Sequence, residues 1–148
     1  MVEDEENDVL FFKSALRKAG VANPLQWARD GREALNYFCG VGEFSNREIY
    51  PLPVLVLLDL KLPYVMGLDL LKSIRAECES SVVVIVLSSS MDQEDIDTAY
   101  RLGANAYLVK PNETEKLAVI ARAIRDFWLL QNQFPTLCET AHHNAVAF

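Results

Sequence analysis

A run of five apolar residues that ends on a carboxylate limits the possible folds of this chain more than any other feature. Residues 54–58 are Val-Leu-Val-Leu-Leu, Asp59 follows directly, and Pro63 closes the next turn. An uninterrupted apolar run of this length predicts a strand that is buried on both faces, as in α/β sheets. Ligands bind at the carboxyl ends of the strands in such sheets. Asp59 is therefore the first candidate functional residue, although strands also end on polar residues that have no function.

Apolar segments and helical patterns alternate along the rest of the chain. Two residues at the start and residues 25–28, 82–87 and 106–109 predict four further strands. Helical spacing predicts helices near residues 7–19, 31–39, 68–75, 92–102 and 112–128, with Asn7 and Asn112 capping the first and the last. Because helices of this length join the strands, the crossovers must be right-handed and the sheet parallel. The pattern predicts a doubly wound α/β fold with a five-stranded parallel sheet and helices on both faces.

Composition and charge exclude several classes of protein. The chain has 148 residues and is 51% hydrophobic, which suits one well-filled domain. Its net charge of -7 and its 14 scattered Lys and Arg residues argue against a nucleic-acid surface. The apolar runs are too short to cross a membrane and the acidic start argues against a signal peptide, so we expect a cytoplasmic protein. Cys39, Cys78 and Cys138 form no CxxC motif, are expected to be reduced, and receive no role.

Polar residues stand where four of the five predicted strands end. Glu3 and Asp4 follow the first strand, Asp59 the third, Ser88 the fourth and Lys110 the fifth. The carboxyl ends of parallel strands share one edge, so these side chains are expected to converge. Close carboxylates repel each other by roughly 1 kcal/mol per pair in water and by more inside a protein, and Mg²⁺ with oxygen ligands relieves that repulsion. An ammonium and a hydroxyl at the same point suit phosphoryl transfer, with Asp59 as the nucleophile.

Each of these residues also has an interpretation without function. In that interpretation Glu3 and Asp4 form a solvated acidic terminus, Ser88 belongs to a polar loop, and Lys110 is a surface lysine whose stem packs on the protein. Two other functional classes fit less well. A phosphatase of the haloacid type needs a second acid two residues after the nucleophile, where this chain has Lys61. A flavodoxin-like cofactor module needs a phosphate-binding loop where this chain is acidic.

Four short motifs together resemble the receiver domain of two-component response regulators. They are Val2-Glu3-Asp4, Leu57-Leu58-Asp59-Leu60-Lys61-Leu62-Pro63 with Gly67, Val86-Leu87-Ser88-Ser89, and Tyr107-Leu108-Val109-Lys110-Pro111. The resemblance implies the flavodoxin-like strand order 2-1-3-4-5 and a receiver domain at residues 1–131, followed by a C-terminal tail at residues 132–148. The first strand is several residues shorter than is usual in that family, which leaves the geometry of the acidic pair open.

The resemblance also assigns roles to the polar residues. It implies that a sensor histidine kinase or a phosphotransfer protein phosphorylates Asp59, and that Ser88 and Lys110 hold the phosphoryl oxygens. The implied Mg²⁺ ligands are oxygen atoms, from Glu3, Asp4, Asp59 and the backbone carbonyl of Lys61. Tyr107 resembles the aromatic switch of the family, which turns inward as the Ser88 hydroxyl moves to the phosphoryl group. The alternative for Tyr107 is an ordinary strand aromatic.

The output of such a domain is expected to be an interaction, because the tail is too short and too acidic for a DNA-binding helix-turn-helix. Phosphorylation is expected to bias the surface of the fourth helix, fifth strand and fifth helix between two arrangements. Aromatic side chains near that surface predict a homodimer through it, namely Tyr100, Phe127, Trp128 and Phe134. Leu10 and Phe11 lie off the core face of the first helix and are candidates for docking the kinase, with core burial of Phe11 as the alternative.

Three further segments narrow the resemblance. Residues 42–46 and 127–130, together with Phe134-Pro135, resemble the single-domain regulators that are paired with bacterial phytochrome kinases. The expected function is that of a single-domain response regulator in a phosphorelay. Such a protein accepts a phosphoryl group and loses it slowly, and it is not an enzyme that turns over a separate substrate.

Overall fold

The computed structural model describes residues 1–78 and 81–134, without the side chains of residues 77 and 78. In these residues a parallel sheet has the order β1-β2-β3, formed by β1 (Leu55–Leu58), β2 (Val83–Ser88) and β3 (Ala106–Val109). The α-helices are α1 (Glu6–Lys18), α2 (Gly31–Cys39), α3 (Gly67–Ser73), α4 (Gln93–Arg101) and α5 (Thr114–Ala123). Segments with π-type hydrogen bonds continue α3 over Ile74–Cys78 and α5 over Ile124–Leu129, and a 3₁₀ turn covers Gly42–Ser45.

The first two predicted strands are present only as single bridging residues. Val2 forms parallel bridges with Ala28 on one side and with Leu58 on the other. The Val2 N–H donates to the carbonyl of Leu57 at 2.8 Å, and the Asp59 N–H donates to the carbonyl of Val2 at 3.1 Å. Only two apolar residues precede the acidic pair, too few for a longer ladder. The predicted five strands are therefore not reached within the described residues, and the order 2-1-3-4-5 stays a prediction.

Helices cover both faces of the sheet, as the alternation of strands and helices predicted. Val56 and Leu58 of β1 pack in one apolar cluster with Phe38 of α2 and Leu71 of α3. The residue between them, Leu57, packs in a second cluster on the opposite face. That cluster also contains Phe12 and Leu16 of α1, Ala121 of α5 and Ile124 of the segment that continues α5. Burying a side chain of this size contributes about 1.5–3 kcal/mol, so the two clusters hold the sheet between its helices.

Two predicted helix caps are wrong. Helix α1 begins after Glu5 and α5 after Glu113, and neither helix has a side-chain cap, so Asn7 and Asn112 do not cap. Asp30 caps α2, because its carboxylate accepts a hydrogen bond from the Glu33 N–H at 2.8 Å. No helix in the described parts of the chain is long and apolar enough to cross a membrane. The predicted tail beyond Phe134, which includes Cys138, lies outside the described residues, as does the side chain of Cys78.

Candidate functional site

The carboxyl edge of the sheet brings a lysine into contact with buried carboxylates. Asp59 directly follows β1, Lys110 directly follows β3, and Glu3 follows the bridging residue Val2. The Lys110 Nζ lies 2.7 Å from Glu3 Oε2 and 2.7 Å from Asp59 Oδ2. Glu3 is 1% exposed and Asp59 is 6% exposed. The convergence predicted for these three residues is therefore present.

Asp8 is a third carboxylate on Lys110, and the sequence reasoning missed it. Its Oδ2 lies 3.0 Å from the Lys110 Nζ, and its side chain is 44% exposed. Asp8 lies in the first turn of α1. The sequence offered no signal that separates Asp8 from the other acidic residues near the start of the helix. Because it is partly exposed, the Asp8 carboxylate stabilises the Lys110 ammonium less than the buried carboxylates of Glu3 and Asp59 do.

The carboxylate of Asp59 is held in one orientation. Its Oδ1 accepts hydrogen bonds from the backbone N–H groups of Leu60 at 2.6 Å and Lys61 at 3.3 Å, whereas its Oδ2 faces Lys110. Gly67 lies against the same turn, and its N–H donates to the Leu60 carbonyl at 2.9 Å. A Cβ at Gly67 would lie 2.2 Å from the backbone oxygen of Asp59, so the turn closes only over a glycine.

Burial and hydrogen bonding together set the protonation states of Glu3 and Lys110. Burial raises the pKa of Glu3 to about 7, against the hydrogen bond and the positive charge of Lys110, which lower it. Burial alone would lower the pKa of Lys110, but hydrogen bonds to Asp59, Glu3 and Asp8 outweigh it and hold that pKa above its ordinary value. Lys110 is therefore a permanent cation at neutral pH, while Glu3 is close to its midpoint.

Three carboxylates of the site are grouped closely enough for a metal ion. Glu3, Asp4 and Asp59 each offer one oxygen, and these oxygens lie within 4.8 Å of one another. Asp4 is exposed, so the group opens toward solvent. Oxygen-only donors with an open side suit Mg²⁺, which keeps several of its waters. The residues present therefore fit Mg²⁺, whereas a metal-ligand role for the Lys61 carbonyl stays a prediction.

Ser88 and Tyr107 are joined through Ser90. Ser88 is fully buried at the end of β2, and its Oγ accepts from the Ser90 N–H at 3.4 Å. The Tyr107 hydroxyl donates to the Ser90 carbonyl at 3.0 Å, and burial raises the pKa of Tyr107. The Lys110 N–H donates to the Ser88 carbonyl at 2.8 Å. Ser88 is thus adjacent to Lys110 through the backbone, while its hydroxyl contacts Ser90 rather than a carboxylate in the described residues.

Comparison with known proteins identifies the family. The sequence matches the response regulator receiver domain over residues 1–122. The probable methanogenesis regulatory protein FilR2 of Methanothrix harundinacea is 35% identical over 136 residues, which cover 91% of this chain and 85% of FilR2. Response regulator Rcp1 of Synechocystis is 32% identical over 130 residues, which cover 87% of this chain and 86% of Rcp1.

Solved structures are similar over almost the whole length of both chains. The phosphorylated cyanobacterial phytochrome response regulator RcpA has a TM-score of 0.83 and 34% identity, covering 91% of this chain and 95% of RcpA. The Mn²⁺-bound form of Rcp1 has a TM-score of 0.80 and 31% identity, covering 90% and 95%. The fold is therefore the flavodoxin-like receiver fold with a parallel sheet. From the sequence match, the fold and the acidic edge that ends at Asp59, the chain belongs to the response regulator receiver domain family.

Proposed function

We propose that this chain is a single-domain response regulator whose Asp59 accepts a phosphoryl group from a phosphohistidine of a sensor histidine kinase or phosphotransfer protein. The observation that carries the proposal is the contact of Lys110 with Asp59 at 2.7 Å, at the edge where buried strands end. Relatives of similar length support a chain that acts as one domain. We infer a receiver domain at residues 1–131 and a tail at residues 132–148, in a cytoplasmic protein without nucleic-acid or membrane binding.

Asp59 Oδ2 is the oxygen that is suited to attack phosphorus. The backbone amides of Leu60 and Lys61 hold Oδ1, which leaves Oδ2 directed at the Lys110 ammonium. As the bond from Oδ2 to phosphorus forms, the bond from phosphorus to the histidine nitrogen breaks. The imidazole leaves as the neutral base when its other ring nitrogen carries a proton, and otherwise the departing nitrogen takes a proton from water. Lys110 then exchanges its contact with the carboxylate for a phosphoryl oxygen. The chemistry is positioning and charge neutralisation, which needs no turnover of a further substrate.

Glu3, Asp4 and Asp59, with the backbone carbonyl of Lys61, would hold Mg²⁺. When bound, Mg²⁺ neutralises the negative charge that gathers on the phosphoryl oxygens. The three carboxylates support this assignment because their oxygens lie close together and Asp4 is exposed to solvent. A Mn²⁺-bound form of Rcp1 and a phosphorylated form of RcpA have been solved, which supports both parts of the proposal in relatives.

Ser88 and Tyr107 would carry the signal from the site to the surface. Both contact Ser90, and the Ser90 hydroxyl donates to Asp95 of α4 at 2.6 Å. When the Ser88 hydroxyl moves to the phosphoryl group it leaves the Ser90 N–H. The loop then shifts, Tyr107 turns inward, and the surface formed by α4, β3 and α5 changes its preferred arrangement.

That surface exposes apolar side chains that suit a homodimer. Tyr100 of α4 is 51% exposed and Phe127 is 56% exposed. Trp128 and Phe134, which were predicted to join them, are partly buried against the second apolar cluster and contribute less. We propose a homodimer through the exposed part of this surface.

Leu10 and Phe11 of α1 would dock the kinase or phosphotransfer protein. They are 56% and 57% exposed, so the alternative of core burial is wrong for Phe11. A cleft of about 150 Å³ lies between Phe11, Lys110 and Pro111 and would admit a partner side chain beside Lys110. The similarity to RcpA, named as a phytochrome response regulator, leads us to propose a kinase of the phytochrome type.

Labelling with a small phosphodonor tests the proposal. The chain is incubated with Mg²⁺ and acetyl phosphate, and intact-mass spectrometry follows an acid-labile phosphoryl adduct. Asp59→Asn is expected to abolish the adduct, while Asp69→Asn, which changes an exposed carboxylate on α3, is expected to label as the unchanged chain does. An adduct that survives in Asp59→Asn would refute the assignment of the acceptor. Repeated hydrolysis of a small phosphoester would favour a phosphatase instead.

A further inference from the structure

Trp27, which precedes the bridging residue Ala28, makes a direct hydrogen bond to the backbone of the acidic pair. Its indole Nε1–H donates to the backbone carbonyl of Glu3 at 2.7 Å. The ring is half-buried, and the guanidinium of Arg29 lies 5.1 Å from its centroid on the exposed side of the chain. A cation over an indole face is attracted by the ring quadrupole, so Arg29 restrains the plane of the ring.

The carbonyl that Trp27 binds belongs to the peptide between two candidate metal ligands. Glu3 and Asp4 share that planar peptide group, so fixing its oxygen fixes the direction in which Asp4 leaves the sheet. The Glu3 N–H is already held by the Ala28 carbonyl at 3.1 Å. Glu3 is therefore anchored at both its amide and its carbonyl by adjacent residues of one segment, Ala28 and Trp27.

We propose that Trp27 is a positioning residue for the metal site, acting through the Glu3 carbonyl on the exposed Asp4 carboxylate. This inference rests on the proposed Mg²⁺ role of the acidic pair. Asp4 is the exposed member of the carboxylate group and has the most freedom to lose on binding. A tryptophan that served packing alone would need only an acceptor for its N–H, and solvent supplies one to a half-buried ring. Because the Trp27 indole binds the Glu3 carbonyl, it also orients the Asp4 backbone in addition to packing.

Substitution by phenylalanine separates the two roles, because it keeps an aromatic ring and removes the donor. We expect Trp27→Phe to lower the affinity for Mg²⁺ about fivefold in calorimetric titration, the effect of one lost hydrogen bond. Labelling by acetyl phosphate at saturating Mg²⁺ should return to the rate of the unchanged chain, since Asp59 and Lys110 are intact. Trp128→Phe is the matched control, with a half-buried ring away from the acidic edge, and should leave Mg²⁺ affinity unchanged.

Two further measurements test the inference, and the first of them does not depend on the stability of the Trp27→Phe variant. Coupling is reciprocal, so Mg²⁺ must strengthen the bond between Trp27 and Glu3 by the same factor. In the unchanged chain, Mg²⁺ should therefore slow exchange of the Trp27 indole hydrogen by up to about fivefold in nuclear magnetic resonance spectra. In an Asp4→Asn background, Trp27→Phe should no longer change Mg²⁺ affinity, because the residue through which it acts is gone.

The outcomes distinguish this inference from the proposed function. If the unchanged chain binds no Mg²⁺ and forms no adduct, the proposed function is wrong. If it binds Mg²⁺ but Trp27→Phe binds within twofold of it, or if Mg²⁺ leaves the indole exchange rate unaltered, then Trp27 is a packing residue and the inference is overturned. Equal loss of affinity in Trp27→Phe with and without Asp4 would also overturn it.

Discussion

Replacing Gly67 by alanine should damage both the stability and the phosphorylation of this domain. Gly67 opens α3 directly over the turn that follows Asp59. The added methyl group would lie 2.2 Å from the Asp59 carbonyl oxygen and 2.6 Å from the Leu60 Cα. Ordinary contacts begin near 3.4 Å, so the two backbones must separate by about 1.2 Å, the difference between 3.4 Å and the 2.2 Å to the Asp59 oxygen. Both neighbours are backbone, so no side chain can rotate out of the way.

The expected loss of stability is about 3 kcal/mol. Overpacking of this kind costs roughly 1–3 kcal/mol, and strain on the Gly67 N–H bond to Leu60 adds about 1 kcal/mol at most. For a domain of this size that corresponds to a melting temperature about 6–12 °C lower. Because the turn carries the amides that orient Asp59, acetyl phosphate labelling should slow by roughly 10–100-fold. Differential scanning calorimetry and intact-mass kinetics measure the two effects on the same preparation.

Gly42→Ala is the matched control for this substitution. Gly42 has nothing within 4 Å of the added Cβ but has φ +65°, so its cost of about 1–2 kcal/mol comes from the left-handed backbone alone. It is remote from Asp59 in the chain and should label at the rate of the unchanged protein. Melting of Gly67→Ala within about 2 °C of the unchanged chain, with normal labelling, would refute the argument from space.

Three other perturbations have defined outcomes. Lys110→Met leaves Glu3 and Asp59 buried without their cation, so calorimetry in a chelator should show a loss of about 3–5 kcal/mol, part of which Mg²⁺ restores; an unchanged melting temperature would contradict the ion-pair geometry. The pKa of Glu3 is about 7 in the folded chain and 4.5 ordinarily, so between these values the folded chain retains a proton that the unfolded chain loses. The stability of the metal-free chain should therefore fall as pH rises from about 4.5 to about 7. Mg²⁺ binding should release up to about one proton near pH 6 and almost none near pH 8, which calorimetry in two buffers measures. Phe11→Ala should reduce transfer from a cognate kinase by at least about fivefold while acetyl phosphate labelling stays normal, and equal loss with both donors would exclude a docking role.

The site was largely predictable because parallel strands deliver their carboxyl ends to one edge. Glu3, Asp59 and Lys110 each follow a strand or bridge, so their convergence needed only the topology. Asp8 was not predictable by that rule, since it lies in a helix among several acids and only the fold shows which one reaches Lys110. Trp27 was equally hidden, because a half-buried indole becomes informative only once its acceptor is known.

Details of the fold that depend on tertiary packing could not be predicted from local sequence. Strand pairing is a tertiary property, so a segment such as 25–28 can be extended and still pair at only one residue. Caps failed for a related reason. Asn7 and Asn112 suit an N-cap, but α1 and α5 begin at other residues, because acidic first turns and packing set the ends instead. Tyr64 has φ 65°, a left-handed conformation that its residue type did not suggest.

Val2, which bridges Ala28 to Leu58 of the sheet, has a consequence for the order in which we expect the domain to fold. Val2 pairs with Leu58, and the sequence separation of these two residues is much larger than that of the paired residues in β1 and β2 or in β2 and β3. Closing the loop between Val2 and Leu58 costs more conformational entropy, and only one bridge on each side of Val2 offsets that cost. We therefore expect the strands and α3 to form the folding nucleus and Val2 to dock after the rate-limiting step. Glu3 and Asp4 follow Val2 directly, so the acidic pair is expected to be the last part of the site to form, and the chain should become competent for phosphorylation only when folding is complete.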